Sequence, residues 1–472
     1  MSCRGKLDNL KYLFSPSSIA VIGASRKPGK IGHAIVKNLL EYGFKGKIYP
    51  VNPTANEILG LKAYKSILEI PDEVDMAVIS IPAEKVLQAI DEAGRKGVKV
   101  AVVITSGFSE VGNVDLERRM VELAHKYGMR ILGPNIFGIA YTPANMNATF
   151  GPKDILKGGI AFITQSGALG IALMGWTLLE EIGLSAIVSM GNMADLDVAE
   201  VSQYLADDPN TKVITIYLEG LKEGTGKTFI KLMREVTRKK PVIILKAGRS
   251  ERGAAAAASH TGSLAGADVI YDAAFRQSGI LRAITIEEMF DWARAFALQP
   301  LPKGENVVII TNGGGAGVMA TDACADYGVN LYTLPDDLKE EFRKCMPWFG
   351  SPKNPVDLTG MAVEDNYYKA LKVAYSDERI HSIIVLYCRT AILDPMSLAK
   401  VIVQAYREAK SEGREKPTVV CMIGGTDVYN AMRYLNREGI PAYPIPERAV
   451  ASLGALYKYK RYLEKIGEHK TH

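Results

Sequence analysis

The stretch "SIAVIGASRKPGKIG", residues 18–32, runs from an apolar segment through a glycine-rich turn into the start of a helical pattern. A buried strand followed by such a turn is typical of the nucleotide-binding βα unit, in which a phosphate approaches the helix N-terminus. The turn departs from G-x-G-x-x-G, because a hydroxyl and two cations replace the second glycine region. The two cations suit a phosphorylated ligand. The candidate contacts to such a ligand are Gly23, Ser25, Arg26 and Lys27. A plain turn with solvated charges is the alternative interpretation.

Apolar runs of the same kind alternate with amphipathic segments along almost the whole chain. Near-continuous apolar runs of this length are typical of strands that are buried on both faces of a parallel sheet. The other runs are "VDMAVISIPA" (74–83), "KVAVVITSGF" (99–108), "IAFITQSG" (160–167), "KVITIYLEG" (212–220), "PVIILKAG" (241–248), "NVVIITNGGGAG" (306–317), "IIVLY" (383–387) and "TVVCMIGG" (418–425). The pattern therefore predicts an α/β fold built on parallel, doubly wound sheets.

Two segments interrupt this alternation and divide the chain. Residues 133–159 are rich in Gly, Pro and Asn without a sustained period, and residues 298–306 form a Pro/Gly turn cluster before a new strand. A chain of 472 residues is also too long for one domain, since about 150 residues per domain is usual. We predict three doubly wound domains at 1–145, 146–298 and 299–472.

The composition excludes several classes of function. The chain has 47% hydrophobic and 23% charged residues, which is typical of a globular protein. It contains no apolar run of about 18 residues, and its start lacks an apolar signal-peptide core, so we predict a cytoplasmic location. Five scattered cysteines without a C-x-x-C pair argue against a disulfide framework or a metal site. A net charge of +5 without a basic stripe argues against nucleic-acid binding.

Two further strand ends carry small residues where a helix is predicted to start. They are "FITQSGALG" (162–170) and "TNGGGAGV" (311–318). Free N–H groups at a helix N-terminus attract anions, and two such ends in different domains suggest one shared phosphate. The alternative is close strand-to-helix packing. The candidate phosphate-binding residues are Ser166, Gly167, Gly313, Gly314 and Gly315.

A single histidine lies among very small side chains in "AAAAASHTGSLAGAD", residues 254–268. His260 has no second His or Cys nearby, which argues against a metal ligand and favours a nucleophilic role in which a ring nitrogen accepts a phosphoryl group. Such a histidine needs a carboxylate partner. Glu219 is the candidate, because it follows an apolar strand, where burial of a carboxylate is costly unless the group is paired. A capping or solvent-exposed histidine is the alternative.

The segment "EGLKEGTGKT", residues 219–228, suggests a nucleotide-binding P-loop but does not fit it. The motif requires four residues between its glycines. Counting back from Gly226 places Leu221 where the first glycine belongs, so the loop N–H groups would miss the phosphate. A P-loop nucleotidase that uses 226–228 is therefore a minor alternative.

Many short motifs together resemble one known family. The segments "SIAVIGAS", "YPVNP", "GPNIFGI", "TQSGALG", "GNMADLD", "AGRSERGAAAAASHTGS", "TNGGGAGV" and "NPVDLTG" occur in the order found in the NDP-forming acyl-CoA synthetases, relatives of succinyl-CoA synthetase. The resemblance covers nearly the whole chain and is strongest to members that act on acetyl-CoA. It implies a CoA-binding Rossmann-like domain followed by two flavodoxin-like domains.

The resemblance also implies a reaction and a set of site residues. Acyl-CoA, phosphate and ADP are converted reversibly into the free acid, CoA and ATP through an acyl phosphate and a phosphohistidine. His260 matches the phosphohistidine, and Glu219 matches the acid that stabilises it. The glycines at the two predicted helix starts match those that flank the phosphohistidine. The positions that match CoA contacts, besides those of the first turn, are Thr105, Ser106, Gly107 and Asn135.

The family's nucleotide-binding ATP-grasp domain has no counterpart in this sequence. The resemblance therefore implies that ADP or ATP, with Mg²⁺, binds a separate β subunit in an α₂β₂ heterotetramer. A non-catalytic alternative is a CoA-sensing regulatory protein on the same fold, since a scaffold can outlive its chemistry. The presence of both His260 and Glu219 argues against that alternative.

Overall fold

The computed structural model describes residues 8–255 and 268–468. The chain forms two compact units, Met1–Ile284 and Thr285–His472. Within the described residues, the first unit is built on two large sheets and the second on one.

The first sheet contains five parallel strands. Three of the four crossovers between them contain an α-helix, which returns the chain to the edge where the next parallel strand begins. Its strands are β1 (Ser18–Ile22), β2 (Lys47–Val51), β5 (Met76–Ile79), β6 (Val100–Val103) and β7 (Arg130–Leu132), and a small hairpin comprises β3 (Glu57–Ile58) and β4 (Leu61–Lys62). The helices of this part are α1 (Lys11–Phe14), α2 (Ile31–Glu41), α3 (Val86–Lys96) and α4 (Val114–Lys126). The strand order is β2-β1-β5-β6-β7.

The second sheet has seven strands and an antiparallel edge. Its strands are β8 (Gly138–Tyr141), β9 (Met146–Thr149), β10 (Lys157–Thr164), β11 (Leu184–Ser189), β12 (Val213–Leu218), β13 (Val242–Lys246) and β14 (Leu281–Ala283). Its helices are α5 (Gly167–Leu179), α6 (Val198–Asp207), α7 (Gly226–Thr237) and α8 (Asp268–Gln277). The order is β14-β13-β12-β10-β11-β8-β9, in which β8 pairs antiparallel with both β11 and β9.

The second unit contains a five-stranded parallel sheet. Its strands are β15 (Val307–Thr311), β16 (Val356–Asp357), β17 (Ser382–Cys388), β18 (Thr418–Ile423) and β19 (Ala442–Tyr443), in the order β16-β15-β17-β18-β19. Its helices are α9 (Ile286–Leu298), α10 (Gly314–Tyr327), α11 (Asp336–Arg343), α12 (Glu364–Ser376), α13 (Pro395–Ser411), α14 (Thr426–Arg437) and α15 (Pro446–Glu468).

All three sheets share one topological feature that predicts where ligands bind. In each sheet, the first strand in chain order lies between the second and the third: β1 between β2 and β5, β10 between β11 and β12, and β15 between β16 and β17. This order leaves out the small β3–β4 hairpin and the antiparallel edge of the second sheet, β8 and β9. The winding direction reverses at that place, and a crevice opens beyond the carboxyl ends of the two strands. In the second sheet this crevice lies beyond β10 and β12.

The two sheets of the first unit are joined along a seam of backbone hydrogen bonds. The segment after β11 donates from Asn192 to Pro134 (3.1 Å), from Ala194 to Gly133 (2.9 Å) and from Leu196 to Ile131 (3.2 Å). One apolar core cluster also includes side chains from both sheets. Backbone groups paired in this way hold the strand ends of the two sheets in a fixed relation.

Gly191 on this seam is expected to tolerate no side chain. It has a φ of +53°, and a Cβ there would lie 2.2 Å from the Pro134 carbonyl oxygen and 2.5 Å from that of Asn135. Gly191→Ala should lower the free energy of unfolding by about 3 kcal/mol, as left-handed strain adds to the steric clash. Urea denaturation measures the loss.

Gly224→Ala is the matched control for this substitution. Gly224 also has a positive φ of +79°, but no atom lies within 4 Å of the place that an added Cβ would occupy there. It should therefore show only the backbone strain, about 1 kcal/mol. Equal losses in the two variants would contradict the steric argument at the seam.

The predicted α/β class with parallel, doubly wound sheets is confirmed by these three sheets. Sheet membership changes between β7 and β8, ahead of the predicted boundary at residue 145, because the β8–β9 hairpin pairs with β11. The unit boundary after Ile284 also precedes the predicted one at residue 298. Helix α9 belongs to the second unit because Asp291 pairs with Arg448 at 2.6 Å. The division into three domains at those boundaries stays a prediction.

No helix in residues 8–255 and 268–468 is both long enough and apolar enough to cross a membrane.

Candidate active site

A large cleft lies in the first unit, where strand ends of its two sheets meet. It has a volume of about 1430 Å³. Loops that follow β5, β6, β10 and β12 all line it, which places it at the crevices that the strand order predicts. Six of the predicted site residues line this cleft: Thr105, Ser106, Asn135, Ser166, Gly167 and Glu219.

The first glycine turn contacts the wall of the cleft without lining it. Gly23 has a φ of +94°, and a Cβ there would lie 2.4 Å from the carbonyl oxygen of Ser80, which does line the cleft. The turn that follows is fixed by Asn52, which donates to the Ala24 carbonyl at 2.8 Å. The predicted cations Arg26 and Lys27 are exposed, and so are accessible to a ligand.

The remaining predicted residues lie elsewhere. Gly107 adjoins the cleft-lining Ser106 and has a φ of +108°. Gly313, Gly314 and Gly315 are in the second unit, at the start of α10. His260 lies outside the described residues.

The loop after β6 is held in place by hydrogen bonds at both ends. Thr105 donates its hydroxyl to the Ile81 carbonyl at 2.7 Å, and its carbonyl accepts from the Asn135 backbone N–H at 2.9 Å. The Glu110 carboxylate accepts from the backbone N–H groups of Gly107 (2.5 Å) and Phe108 (3.2 Å). These hydrogen bonds therefore fix the loop that carries the cleft-lining residues Thr105 and Ser106.

One side-chain amide connects this loop to the second sheet. Asn192 Nδ2 lies 3.1 Å from Ser109 Oγ, 2.6 Å from Glu110 Oε2 and 2.9 Å from Glu117 Oε2. Its Oδ1 accepts from Asn135 Nδ2 at 3.3 Å. Asn192 thus joins the seam of the two sheets to the residues predicted to contact CoA, and the sequence indicates it only as a letter of the "GNMADLD" motif.

The Glu110 carboxylate is ionised more readily than an ordinary glutamate. Burial alone would raise its pKa, but hydrogen bonds from Asn192 and from the N–H groups of Gly107 and Phe108 outweigh burial and hold the pKa below its usual value of 4.5. Because the folded state binds this proton more weakly than the unfolded chain does, the interaction stabilises the fold above about pH 4.5. The stabilisation is lost as the pH falls through the lower folded-state pKa.

Glu110→Gln should therefore be destabilising at neutral pH, and the difference from the wild-type chain should shrink in acid. Thermal unfolding midpoints of both proteins between about pH 7 and pH 3 measure this. A difference that is constant across that range would show that the charge of Glu110 contributes nothing.

Glu219 is half-buried directly after β12, at the switch point of the second sheet. Burial, together with the charge of Glu219, raises the pKa of the neighbouring Tyr217 to about 12. A cation lies in the same region, because the Lys246 ammonium is buried at the end of β13 with the Tyr271 ring 4.7 Å away. Burial lowers the pKa of Lys246, whereas the charges of Asp268 and Glu219 favour its ionised form.

Helix α5 presents its N-terminus to the same part of the cleft. It begins at Gly167, separated from the end of β10 by two residues, and Ser166 precedes it in an extended conformation without a side-chain cap. The first backbone N–H groups of a helix lack partners within the helix and carry its positive end. A helix N-terminus therefore lies in the cleft that also contains Glu219.

The described residues contain no cluster of three or more His, Cys, Asp or Glu side chains arranged to hold a metal ion. Gly226–Thr228, the residues of the P-loop alternative, form the first turn of α7.

Family models match three successive parts of the chain. They describe a CoA binding domain at 17–142, a succinyl-CoA ligase like flavodoxin domain at 157–296 and a ligase-CoA domain at 307–467. The fold and the matched domains together define a CoA ligase of the succinyl-CoA ligase class. The predicted order of a CoA-binding domain followed by two further α/β domains is confirmed.

Individual relatives define the family more closely. The chain is 59% identical over 466 residues to the alpha subunit of ADP-forming acetate–CoA ligase I from Pyrococcus furiosus, covering 98% of this chain and 100% of that one. It is 47% identical to the alpha subunit of the second such ligase of that organism, over 95% and 97% of the two chains. The chain belongs to the family of ADP-forming acetate–CoA ligase alpha subunits.

Solved structures agree with this assignment. The apo form of a dinucleotide forming acetyl-coenzyme A synthetase 1 from Ca. Korarchaeum cryptofilum matches with a TM-score of 0.94 at 53% identity, over 98% of this chain and 99% of that one. The same enzyme in complex with phosphate and ADP also matches with a TM-score of 0.94, at 54% identity over 97% and 98% of the chains.

Proposed function

We propose that this chain is the CoA-binding, phosphohistidine-bearing subunit of an ADP-forming acyl-CoA synthetase that acts on acetyl-CoA. The enzyme interconverts acyl-CoA, ADP and phosphate with the free acid, CoA and ATP. One observation supports the proposal above others. The cleft brings Glu219 and the N-terminus of α5 together with Thr105, Ser106 and Asn135 in one space, so that groups suited to an anion and to CoA face the same substrate.

The proposed reaction has three steps. A phosphate oxygen attacks the thioester carbonyl, the carbon–sulfur bond breaks, and CoA leaves as the thiolate while an acyl phosphate forms. A ring nitrogen of His260 then attacks phosphorus, and the free acid leaves as its carboxylate. Finally, ADP takes the phosphoryl group and His260 becomes neutral again.

Electrostatics explains why Glu219 accompanies the histidine. Phosphorylation of one ring nitrogen makes the imidazole cationic, and a carboxylate on the other nitrogen fixes the tautomer and stabilises that cation. The N-terminus of α5 holds the phosphate oxygens through Ser166 and Gly167. In the second unit, the glycines at the start of α10 form a helix N-terminus of the same kind.

CoA is held by the loops of the first sheet in this proposal. Thr105, Ser106, Gly107 and Asn135 contact the pantetheine end, and the turn from Gly23 to Lys27 receives the phosphates. Arg26 and Lys27 suit that role because they are exposed cations beside a strand end.

The partner and the nucleotide complete the proposal. The alpha-subunit names of the relatives imply a β subunit. We propose that it is an ATP-grasp protein in an α₂β₂ heterotetramer and that it binds ADP or ATP with Mg²⁺. We predict that the assembly is cytoplasmic.

Labelling with γ-labelled ATP tests the proposed function. The purified chain is incubated with and without a candidate ATP-grasp subunit, and any label is tested for stability in acid and alkali. An acid-labile, alkali-stable label that depends on the partner supports a phosphohistidine. Label that forms without the partner would favour a nucleotidase, and absence of label under every condition would favour a CoA-sensing regulator.

A further inference from the structure

The side chain of Gln165 fixes the backbone on which Glu219 is carried. Gln165 directly follows β10, lines the cleft and is only 9% exposed. Its Oε1 accepts from the backbone N–H of Glu219 at 2.5 Å and of Gly220 at 3.0 Å, and its Nε2 donates to the Gly220 carbonyl at 3.0 Å. One amide thus satisfies three backbone groups at the point where β12 leaves the sheet.

The backbone of Gln165 is fixed in turn by the sheet. Its N–H donates to the Tyr217 carbonyl at 3.2 Å, which continues the parallel register of β10 and β12. Hydrogen bonds therefore fix both the backbone of Gln165 and its side-chain amide. Glu219 is positioned by a short connection to the neighbouring strand.

An amide side chain of this length fits this set of bonds. Two adjacent N–H groups require an acceptor, and the carbonyl beside them requires a donor, so a planar amide fits with its oxygen toward the N–H pair. A glutamate lacks the donor and would place a negative charge against the Gly220 carbonyl. A leucine would remove the partner that Gln165 provides to three backbone groups, two of which, the Gly220 N–H and carbonyl, are buried.

We infer that Gln165 is a positioning residue for the carboxylate of Glu219 and acts on the phosphoryl-transfer step while leaving CoA binding unaffected. The inference rests on the proposed function, in which that carboxylate stabilises the phosphohistidine. A charged group that must meet an imidazole within hydrogen-bond distance loses much of its effect when its backbone shifts by about 1 Å. The residues proposed for CoA belong to the loops of the first sheet, which Gln165 does not contact through any of these bonds.

The test uses the full chain with its ATP-grasp partner and two substitutions, Gln165→Leu and Gln165→Glu. Rapid-quench labelling with γ-labelled ATP gives the rate of phosphohistidine formation, and steady-state assays give KM for phosphate. Titration gives Kd for CoA. We expect Gln165→Leu to slow labelling on the order of tenfold to a hundredfold, with KM for phosphate and Kd for CoA unchanged.

Gln299→Leu is the matched control. Gln299 is 7% exposed, accepts from the Thr418 N–H at 2.8 Å and donates to the Gly439 carbonyl at 2.8 Å, so it makes the same kind of backbone bridge within the second unit. It should lower the thermal midpoint as much as Gln165→Leu does, while leaving the labelling rate unchanged. Equal slowing in both variants would reduce Gln165 to a structural residue and overturn the inference.

The pH dependence of labelling provides a readout that loss of stability does not produce. Gln165→Glu places a second carboxylate beside Glu219, and two like charges at one site favour retention of a proton. The acidic limb of the labelling rate should therefore move to higher pH in Gln165→Glu, which also decides the question if Gln165→Leu fails to fold. An unmoved acidic limb would contradict the inference.

Two other outcomes also count against it. A raised KM for phosphate with an unchanged labelling rate would mean that Gln165 contacts the substrate instead of positioning Glu219. Absence of label on the wild-type chain would overturn the proposed function and this inference with it. Normal labelling of the wild-type chain and of Gln165→Leu would overturn the inference alone.

Discussion

Replacing His260 with alanine is expected to abolish the acid-labile label and turnover, and to leave the affinity for CoA unchanged. The ring nitrogen forms the bond to phosphorus in the proposed reaction, and a methyl group provides no substitute. The residues proposed for CoA lie in the loops of the first sheet, whereas His260 belongs to the phosphoryl step. Labelling with γ-labelled ATP in the presence of the partner measures the first effect, and titration with CoA measures the second.

His125→Ala is the control for His260→Ala. His125 lies 2.9 Å from an Asp195 oxygen, and that carboxylate keeps two contacts from the Arg130 side chain at 3.1 and 2.9 Å when the imidazole is removed. Labelling of His125→Ala should therefore equal that of the wild-type chain. A parallel loss of CoA affinity in His260→Ala would contradict the separation of the two steps.

Replacing Glu219 with glutamine is expected to slow phosphohistidine formation on the order of a hundredfold, because the cation formed on the imidazole loses its carboxylate. The substitution preserves size and a hydrogen-bond acceptor, so the bond from the Glu219 backbone N–H to Gln165 is retained. Rapid-quench labelling measures the rate. The thermal midpoint and Kd for CoA should stay at their wild-type values.

Glu235→Gln provides the matched control for Glu219→Gln. Glu235 is an exposed glutamate on α7, outside the cleft residues, and its charge should not affect labelling. Unchanged labelling kinetics in Glu219→Gln would remove that carboxylate from the mechanism. Slowing by the same factor in both variants would point to a general effect of net charge.

The sequence identifies residues at the strand ends that line the cleft, but it does not show which of these residues contact one another. Thr105, Asn135 and Glu219 can be chosen as candidates because each follows a predicted strand or matches a motif. Gln165 and Asn192 cannot be assigned a role in the same way, although both are letters of recognised motifs. Gln165 bonds to a residue 54 positions away along the chain, and Asn192 to one 75 positions away, and no local pattern encodes such pairing.

The domain arrangement shows the same limit. Clusters of Gly, Pro and Asn locate connections, but they do not tell which sheet a nearby strand joins. The β8–β9 hairpin pairs with the second sheet through β11, and helix α9 joins the second unit through Asp291 and Arg448. Both choices depend on contacts between segments that are distant in sequence.

The sequence by itself determined the α/β class and the candidate chemistry, because buried parallel strands require apolar runs and close approach of an anion to a helix N-terminus requires small residues there. The tertiary structure alone decided that the loops of two sheets face one cleft and that amides at Gln165 and Asn192 hold those loops in register. The physical reason is that strand order and side-chain pairing are set by burial and hydrogen bonding across long separations, whereas composition and periodicity report only on neighbouring residues.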